Sequence, residues 1–221
     1  MACLTSSMLL FSGCNDFLEI NDDPNNPLVV PLSQLLPSIE VDMTGALGNS
    51  SGGLSSVTST YMHQFVQRGA ELNDYGIGGG DFGVITPWTV VYSMQLMDLE
   101  FMKNLAIEEG ATHYLGVGQI IEAYTYSILV DVWGDIPFSE AALGTDNLAP
   151  KYDLGENVYP QLFTLLDDAI ANLASESTNS PSNDDLFYGG DLDKWRKLAK
   201  TLKLKLYNQV RLVQNVSSEV N

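Results

Sequence analysis

Apolar residues recur along most of the chain with the three- and four-residue spacing of an amphipathic helix. In the clearest case, from Tyr114 to Ile128, apolar side chains return at steps of three, four, three and four residues. Such steps place one apolar stripe along a helix, whereas a half-buried strand would alternate at every second residue. The same spacing is found in segments that begin at Leu54, Tyr92, Leu162 and Trp195. The pattern therefore predicts a chain that is helical throughout.

Two segments need a further argument. Residues 31–47 suit a helix but contain Pro37, which we expect to end or kink it, because proline lacks the N–H that a helix interior uses. Residues 203–206 have the alternating pattern Lys-Leu-Lys-Leu, which would also suit a strand. The helical spacing on both sides of them favours a helix.

Breaker residues divide the helices and indicate how they are arranged. Gly110 separates two predicted helices by a very short turn, which favours a tight antiparallel pair. Residues 133–156 and 175–191 form two long connections rich in Gly, Pro and Asp, and Asp191 is a good N-cap for the last helix. The predicted fold class is all-α, with stacked helix pairs in a solenoid-like body.

The charge balance excludes some partners. The chain of 221 residues has 10 Lys and Arg against 28 Asp and Glu, a formal net charge of −18. A protein of this charge is unsuited to binding nucleic acid, because phosphates are bound by Lys and Arg. Most of the basic residues lie between Lys194 and Arg211. They predict either a basic helix packed against an acidic body or a solvated helix face.

The first thirty residues have the pattern of an export signal and a tether. Residues 1–13 contain a short apolar run followed by Ser12 and Gly13, and Cys14 comes next. Small residues before a cysteine are typical of a bacterial lipoprotein signal, in which the thiol receives the lipid. Residues 14–30 are rich in Asn, Asp and Pro, which favours a turn-rich tether over a helix.

Two motifs suggest chemistry but have weak support. Residues 78–83 fit the letters G-x-G-x-x-G, yet a nucleotide loop needs a strand before it and a helix directly after it, and Pro87 follows here. Asp131 and Asp135 are two carboxylates four residues apart, as a glycoside hydrolase could use. Gly134 lies between them and breaks the helix, so a shared face is not assured, and a structural turn is the favoured interpretation. The sequence predicts no catalytic residue, no metal site and no cofactor.

The aromatic residues of one loop are better candidates for ligand contact. Tyr75, Phe82 and Trp88 lie in or beside the glycine-rich segment, where helical periodicity gives no reason to bury them, and Asp74 is next to Tyr75. A flat ring can cover the apolar face of a sugar while amides and carboxylates bind its hydroxyl groups. We predict these four residues as a ligand-binding set, with packing inside the loop as the alternative.

Several motifs together resemble one protein family. The tether Cys-Asn-Asp-Phe-Leu-Glu-Ile-Asn-Asp-Asp-Pro-Asn-Asn-Pro at residues 14–27 resembles the mature N-terminus of SusD/RagB-like lipoproteins. The stretch Asp-Val-Trp-Gly-Asp-Ile-Pro-Phe-Ser-Glu-Ala at 131–141 resembles a second hallmark of that family. Further similar stretches follow in order at residues 150–153, 158–159, 166–170, 190–195 and 202–206.

The resemblance carries expectations about fold, place and function. It implies tetratricopeptide-like helix pairs, lipid attachment at Cys14, and a position on the outer membrane facing the cell exterior. It also implies binding of an oligosaccharide or peptide nutrient, without catalysis, for a SusC-like TonB-dependent transporter. Two alternatives stay open, namely a glycoside hydrolase using Asp131 and Asp135, and a structural lid without ligand. Members of the family are about twice this long, so residues 31–221 are expected to be the N-terminal helical part of a SusD-like domain.

Overall fold

The computed structural model describes residues 30–48, 53–64 and 84–213, and these residues are mostly helical. The helices are α1 (Leu32–Leu47), α2 (Leu54–Tyr61), α3 (Ile85–Val90), α4 (Leu96–Glu109), α5 (Thr112–Trp133), α6 (Gly155–Asn172) and α7 (Leu192–Val210). A π-helical turn, Val91–Gln95, joins α3 to α4. Within the described ranges the β pairing is one isolated bridge between Ile136 and Asp153. The all-α prediction is confirmed.

Helix α5 lies in the middle of the stack and packs against both α4 and α6. A Cβ atom on Gly116 would lie 2.8 Å from Cγ of Leu173, and one on Gly118 would lie 2.9 Å from Cε of Met102. Gly116 also lies against the backbone, since its Cβ would be 3.0 Å from the carbonyl oxygen of Ala169, so a side chain there would push α6 away. A side chain at Gly118 would require the end of the Met102 side chain to move. Helix α6 packs in turn against α7. The helices thus form the stacked pairs that the sequence predicts.

The turn between α4 and α5 is as short as predicted. Gly110 has a φ of +68°, in the left-handed region that glycine adopts without strain. The N–H of Ala111 donates to the carbonyl of Ala106 over 2.8 Å, which satisfies one of the last carbonyls of α4. The chain therefore reverses within three residues and brings α5 back along α4.

Of the two outcomes expected at Pro37, an end to the helix is wrong, because α1 continues from Leu32 to Leu47, and a kink there stays a prediction. Proline in a helix interior costs about 3 kcal/mol. Helix α1 buries Leu32, Leu36 and Ile39 almost completely, and each such side chain stabilises the fold by about 1.5–3 kcal/mol. The apolar stripe therefore outweighs the missing hydrogen bond.

A helix also follows the glycine-rich segment, contrary to expectation. Helix α3 begins at Ile85, and Pro87 is its third residue. The first N–H groups of a helix have no partner within it, so proline there removes no hydrogen bond. The dinucleotide motif still lacks support, because residues 65–83 lie outside the described ranges.

Helix α7 carries the late group of basic residues, and the structure shows both predicted environments. Asp191 caps the helix, its Oδ1 accepting from the N–H of Lys194 over 3.1 Å. Lys203 pairs with Asp167 of α6 over 2.6 Å, and Lys205 reaches Asp131 of α5 over 3.6 Å. Lys200 lies on the exposed side. One edge of α7 is therefore packed against acidic partners and the other is solvated.

Two long segments connect the last three helices. The first connection (residues 134–154) joins α5 to α6, and the second connection (residues 173–191) joins α6 to α7. Asp185 of the second connection is 3% exposed and accepts hydrogen bonds from the N–H groups of Phe187, Tyr188 and Gly190 and from Nε1 of Trp195. Four donors on one carboxylate fold this connection around a buried indole ring.

A second buried carboxyl, Glu40 of α1, lies against the same connection. Glu40 is 1% exposed, and its Oε2 accepts from the N–H of Leu186 over 2.7 Å. Its Oε1 has no donor among the described residues, and the carboxylate of Asp185 lies within hydrogen-bonding range of Glu40. Burial raises the pKa of Glu40, and the negative charge of Asp185 raises it further. The hydrogen bond from the N–H of Leu186 lowers it, and the result is a pKa of about 8. Glu40 is therefore protonated near neutral pH and can donate to Asp185.

Candidate functional site

Four aromatic rings gather at the end of α5, and we call them the aromatic cluster. Trp88 of α3 lies at their centre, with ring centroids 4.5 Å from Tyr92, 5.3 Å from Trp133 and 6.4 Å from Tyr152. The rings of Trp88 and Tyr152 are nearly parallel, at 14°. Tyr152 is 63% exposed, whereas the other three rings are half-buried. The cluster therefore presents flat aromatic surface at the edge of the helix stack.

Tyr92 fixes the cluster to the first connection. Its hydroxyl donates to the carbonyl oxygen of Pro137 over 2.7 Å. Burial raises the pKa of Tyr92, with smaller contributions from Tyr152 and Asp153, so the hydroxyl keeps its proton and acts as a donor. This bond joins the π-helical turn to a loop 45 residues later in the chain.

Asp153 holds the two sides of the first connection together. Its backbone pairs with Ile136 through two hydrogen bonds of 3.1 and 2.8 Å. Its Oδ2 accepts from the N–H of Phe138 over 3.2 Å and from the N–H of Ser139 over 2.7 Å. Burial alone would raise the pKa of Asp153, but the donors on Ser139 and Phe138 hold it below its usual value. The carboxylate therefore stays ionised and braces the loop beside Tyr152.

The loop turns sharply where α5 ends, which explains the glycines there. Gly134 has a φ of +78°, which strains any other residue. A Cβ on Gly155 would lie 3.1 Å from the carbonyl oxygen of Gly134, so a larger residue at the start of α6 would require the turn to shift by a few tenths of an ångström. Asp135 Oδ1 accepts from the N–H of Gly155 over 3.0 Å and closes the turn. The role of Asp135 in this geometry is structural.

Asp131, the other half of the hypothesised catalytic pair, is engaged elsewhere. Its Oδ1 accepts a short hydrogen bond from the hydroxyl of Tyr159 on α6, and its Oδ2 lies 3.6 Å from Nζ of Lys205 on α7. Asp131 thus links three helices, while Asp135 closes the turn beyond Gly134. Neither carboxylate has the free, paired arrangement that acid and base catalysis of glycoside hydrolysis requires.

The predicted ligand-binding residues divide into two groups. Trp88 lies on a helix and not in a loop, and it forms the centre of the aromatic cluster. Asp74, Tyr75 and Phe82 lie outside the described residues, and so does the predicted lipidation site, Cys14. Their roles remain predictions.

Sequence reasoning missed three of the four rings. Tyr92 fits a helical stripe, which favours a core position, and Trp133 lies in the Asp131–Asp135 stretch, for which a structural turn is the favoured interpretation. Tyr152 belongs to a family-like stretch but carried no functional prediction. No local pattern joins these residues, because the cluster is closed by contacts between positions 88, 133 and 152. The one local hint is that Trp133 directly precedes the helix-ending Gly134.

The described residues contain neither a group of metal ligands nor a membrane-spanning helix. Among residues 30–48, 53–64 and 84–213, there is no group of three or more His, Cys, Asp or Glu residues placed to hold a metal ion. In the same part of the chain, every helix is too short or too polar to cross a membrane.

Solved structures with this architecture are numerous. A SusD/RagB family protein from Bacteroides thetaiotaomicron superposes with a TM-score of 0.71 at 27% identity, over 82% of this chain and 39% of that protein. A chitin-binding protein superposes with a TM-score of 0.69 at 24% identity, over 83% of this chain and 40% of that protein. A chitin-binding SusD homolog from Flavobacterium johnsoniae superposes with a TM-score of 0.66 at 19% identity, over 82% of this chain and 39% of that protein. At the two lower identities the likeness shows the fold alone.

The chain spans about two fifths of the length of these solved proteins, as the covered shares of 39% and 40% show. No curated protein sequence matches it significantly. One family model, described as starch-binding and associating with the outer membrane, matches residues 24–219, which is nearly the whole chain. The chain therefore belongs to the SusD-like family.

Proposed function

We propose that this protein binds glycans through the aromatic cluster, without cleaving them, and passes them to an outer-membrane transporter. The observation that carries the proposal is the nearly parallel pair of Trp88 and Tyr152, with Tyr152 63% exposed. Aromatic faces stack on the apolar faces of sugar rings, and they do so with little loss of side-chain freedom when they are already packed. The family description, starch-binding and associating with the outer membrane, supports the same class of ligand.

Polar groups beside the rings suit the hydroxyl groups of a sugar. Lys151 precedes Tyr152 and pairs with Glu140 over 2.9 Å, and both side chains are substantially exposed. Glu140 also accepts from Nδ2 of Asn147 over 3.2 Å. An aromatic surface bordered by donors and acceptors is a common arrangement in ligand sites. Because the pair is exposed and mutually satisfied, it can exchange partners with a ligand at little cost.

The membrane part of the proposal rests on Cys14. We infer that its thiol carries a lipid, that the tether of residues 14–30 suspends the helical body outside the cell, and that a SusC-like TonB-dependent transporter receives the ligand. Replacing Cys14 by Ala should move the protein from the membrane fraction to the soluble fraction. Equal membrane retention of the Cys14→Ala variant would contradict lipid anchoring at this residue.

The glycan proposal is tested by binding to maltoheptaose and chitohexaose in titration calorimetry, with starch gels as a second assay. We expect the Tyr152→Ala variant to bind about tenfold more weakly, since it loses one stacking face. Phe101→Ala is the matched control, because Phe101 is a 48% exposed ring on α4 outside the cluster. Equal affinity of the Tyr152→Ala variant and the wild type would refute the proposed site. Release of reducing sugar would show catalysis and contradict the proposal in another way.

A further inference from the structure

A separate cavity of about 250 Å³ lies between α4, α5 and residues 138–143 of the first connection. Its wall includes the ring of Phe138, which meets the ring of Tyr126 edge to face at a centroid distance of 4.7 Å. Glu100, Lys103 and Glu122 also line it. The cavity thus combines an aromatic wall with a small group of polar side chains, which is the general composition of a small-molecule site.

The charged residues in this cavity neutralise one another only in part. Lys103 Nζ lies 2.7 Å from Oε2 of Glu122 and 2.8 Å from Oε2 of Glu100. Burial alone would lower the pKa of Lys103, but the two carboxylates raise it, so the ammonium keeps its charge. One cation against two anions leaves the group with a net negative charge. An anionic ligand is therefore disfavoured in this cavity.

The hydroxyl group of Tyr126 is the hydrogen-bond donor that the cavity offers to a ligand. Tyr126 is only 3% exposed and lines the cavity, and its hydroxyl makes no hydrogen bond to any residue that the structure describes. Burial raises the pKa of Tyr126, so the hydroxyl retains a proton to donate. The hydroxyl oxygen is not one of the fully buried atoms without a partner, so it has access to the space of the cavity and can donate to a guest there. Oε1 of Glu122 also has no protein donor in the described residues, so an acceptor for the guest's own hydroxyl groups lies in the same cavity.

We propose that this cavity binds one neutral pyranose unit of a glycan. A sugar ring carries no charge, offers donors and acceptors on every side, and has an apolar face for Phe138. The proposal rests on the glycan-binding function proposed above and adds a second subsite to it. Pro137, which accepts from Tyr92 of the aromatic cluster, directly precedes Phe138 of the cavity, so the two sites lie on either side of the same loop.

The first test observes the cavity directly in the full chain. Ala141 and Ala142 line the cavity, whereas Ala199 is fully buried in α7 and does not. With ¹³C-labelled alanine methyl groups, we expect titration with glucose or N-acetylglucosamine to shift the signals of Ala141 and Ala142 and to leave Ala199 unchanged. Cavity signals that stay in place at saturating concentrations of both sugars would overturn the proposal.

The second test removes the hydroxyl group while keeping the ring. We expect Tyr126→Phe to weaken monosaccharide binding about fivefold, measured from the Ala142 methyl shift, because one hydrogen bond is lost. Ala141→Leu should fill the cavity and weaken binding about tenfold or more. Tyr124→Phe, two residues away on the same helix, is the matched control, because its ring faces another groove. Unchanged monosaccharide affinity in Tyr126→Phe would overturn the subsite.

The two proposals fail separately. If the oligosaccharides bind and lose affinity in Tyr152→Ala, but the cavity signals never move, the aromatic cluster is the site and the cavity proposal is wrong. If the monosaccharides shift the cavity signals and Tyr152→Ala has no effect, the cavity proposal stands and the cluster proposal is wrong. If neither probe binds, both are wrong.

Discussion

The two long connections are built in the same way but expose their aromatic rings differently. Each is organised by one aspartate that accepts several donors of its own loop, Asp153 in the first connection and Asp185 in the second. Asp185 draws Trp195 into the interior, where the ring is 1% exposed, whereas the ring next to Asp153, Tyr152, is 63% exposed. An aspartate that accepts several hydrogen bonds therefore holds a buried ring in the second connection and lies beside an exposed ring in the first. The difference lies in the donors, since only Asp185 accepts from a side-chain indole.

The largest effect is expected in the second connection. Asp185→Ala leaves three backbone N–H groups and the indole N–H of Trp195 without an acceptor in the interior. We expect the free energy of unfolding to fall by about 4 kcal/mol, measured by urea denaturation. Asp168→Ala on the exposed side of α6 is the control and should stay within about 0.5 kcal/mol of the wild type. A loss at position 185 as small as the control's would contradict the role assigned to this carboxylate.

The next effect is a pH dependence that involves the same connection. The pKa of Glu40 is raised from its ordinary 4.5 to about 8 in the folded state, with Asp184 and Asp185 as the acidic groups facing it from the second connection and Tyr114 of α5 bonded to Asp184. Below pH 4.5 the folded and unfolded states both hold the proton, so the contribution of Glu40 to stability is complete there. Between 4.5 and about 8 only the folded state keeps it, so this contribution is lost progressively as the pH rises through that range.

Glu40→Gln separates this contribution from the other acids. The amide is neutral at every pH and can still accept from the N–H of Leu186, so the slope due to residue 40 should disappear. Urea denaturation of both proteins at about pH 5 and about pH 8 measures the difference, since the unfolded and folded pKa values bracket that range. Parallel stability curves for wild type and Glu40→Gln would show that Glu40 titrates normally.

A smaller effect is expected in the first connection. Asp153→Ala removes the acceptor of three donors, from Phe138 and Ser139, that lie nearer the surface than those of Asp185. Because water can replace a carboxylate there, we expect a loss of about 2 kcal/mol in unfolding free energy. We also expect Asp153→Ala to weaken glycan binding although the protein stays folded, because the position of Tyr152 depends on this loop. If Asp153→Ala and Asp185→Ala cost the same, the contrast between the two connections is wrong.

The smallest effect concerns the bond that joins the cluster to the loop. Tyr92→Phe keeps the ring beside Trp88 but leaves the carbonyl of Pro137 without its donor. We expect a loss of about 1 kcal/mol in the free energy of unfolding, with native secondary structure by circular dichroism. An unchanged midpoint in urea would mean that water replaces the hydroxyl fully.

Local patterns predicted the helices well and the site poorly, for a physical reason. Gly110, the cap at Asp191 and the apolar stripe of α5 act through neighbours within a few residues, so the sequence alone reveals them. Pro37 does not end α1 because packing of α1 against other helices, which no local pattern contains, outweighs the cost of proline. The aromatic cluster needs Trp88 to meet Trp133, 45 positions later, and the environment of Glu40 needs the bond from the N–H of Leu186, which spans 146 positions. Trp88 was predicted as a ligand contact from its place beside the glycine-rich segment, and its ring partners followed only from the fold.

The close packing at Gly116 and Gly118 has a consequence for recognition. With backbone touching side chains on both flanks, α5 cannot rotate or slide without disturbing α4 and α6, and Trp133 stands at its far end. In the proposed glycan site, Trp133 therefore keeps its place when a ligand binds, which lowers the entropy lost on binding. We expect a ring held in this way to favour ligands whose shape already matches it.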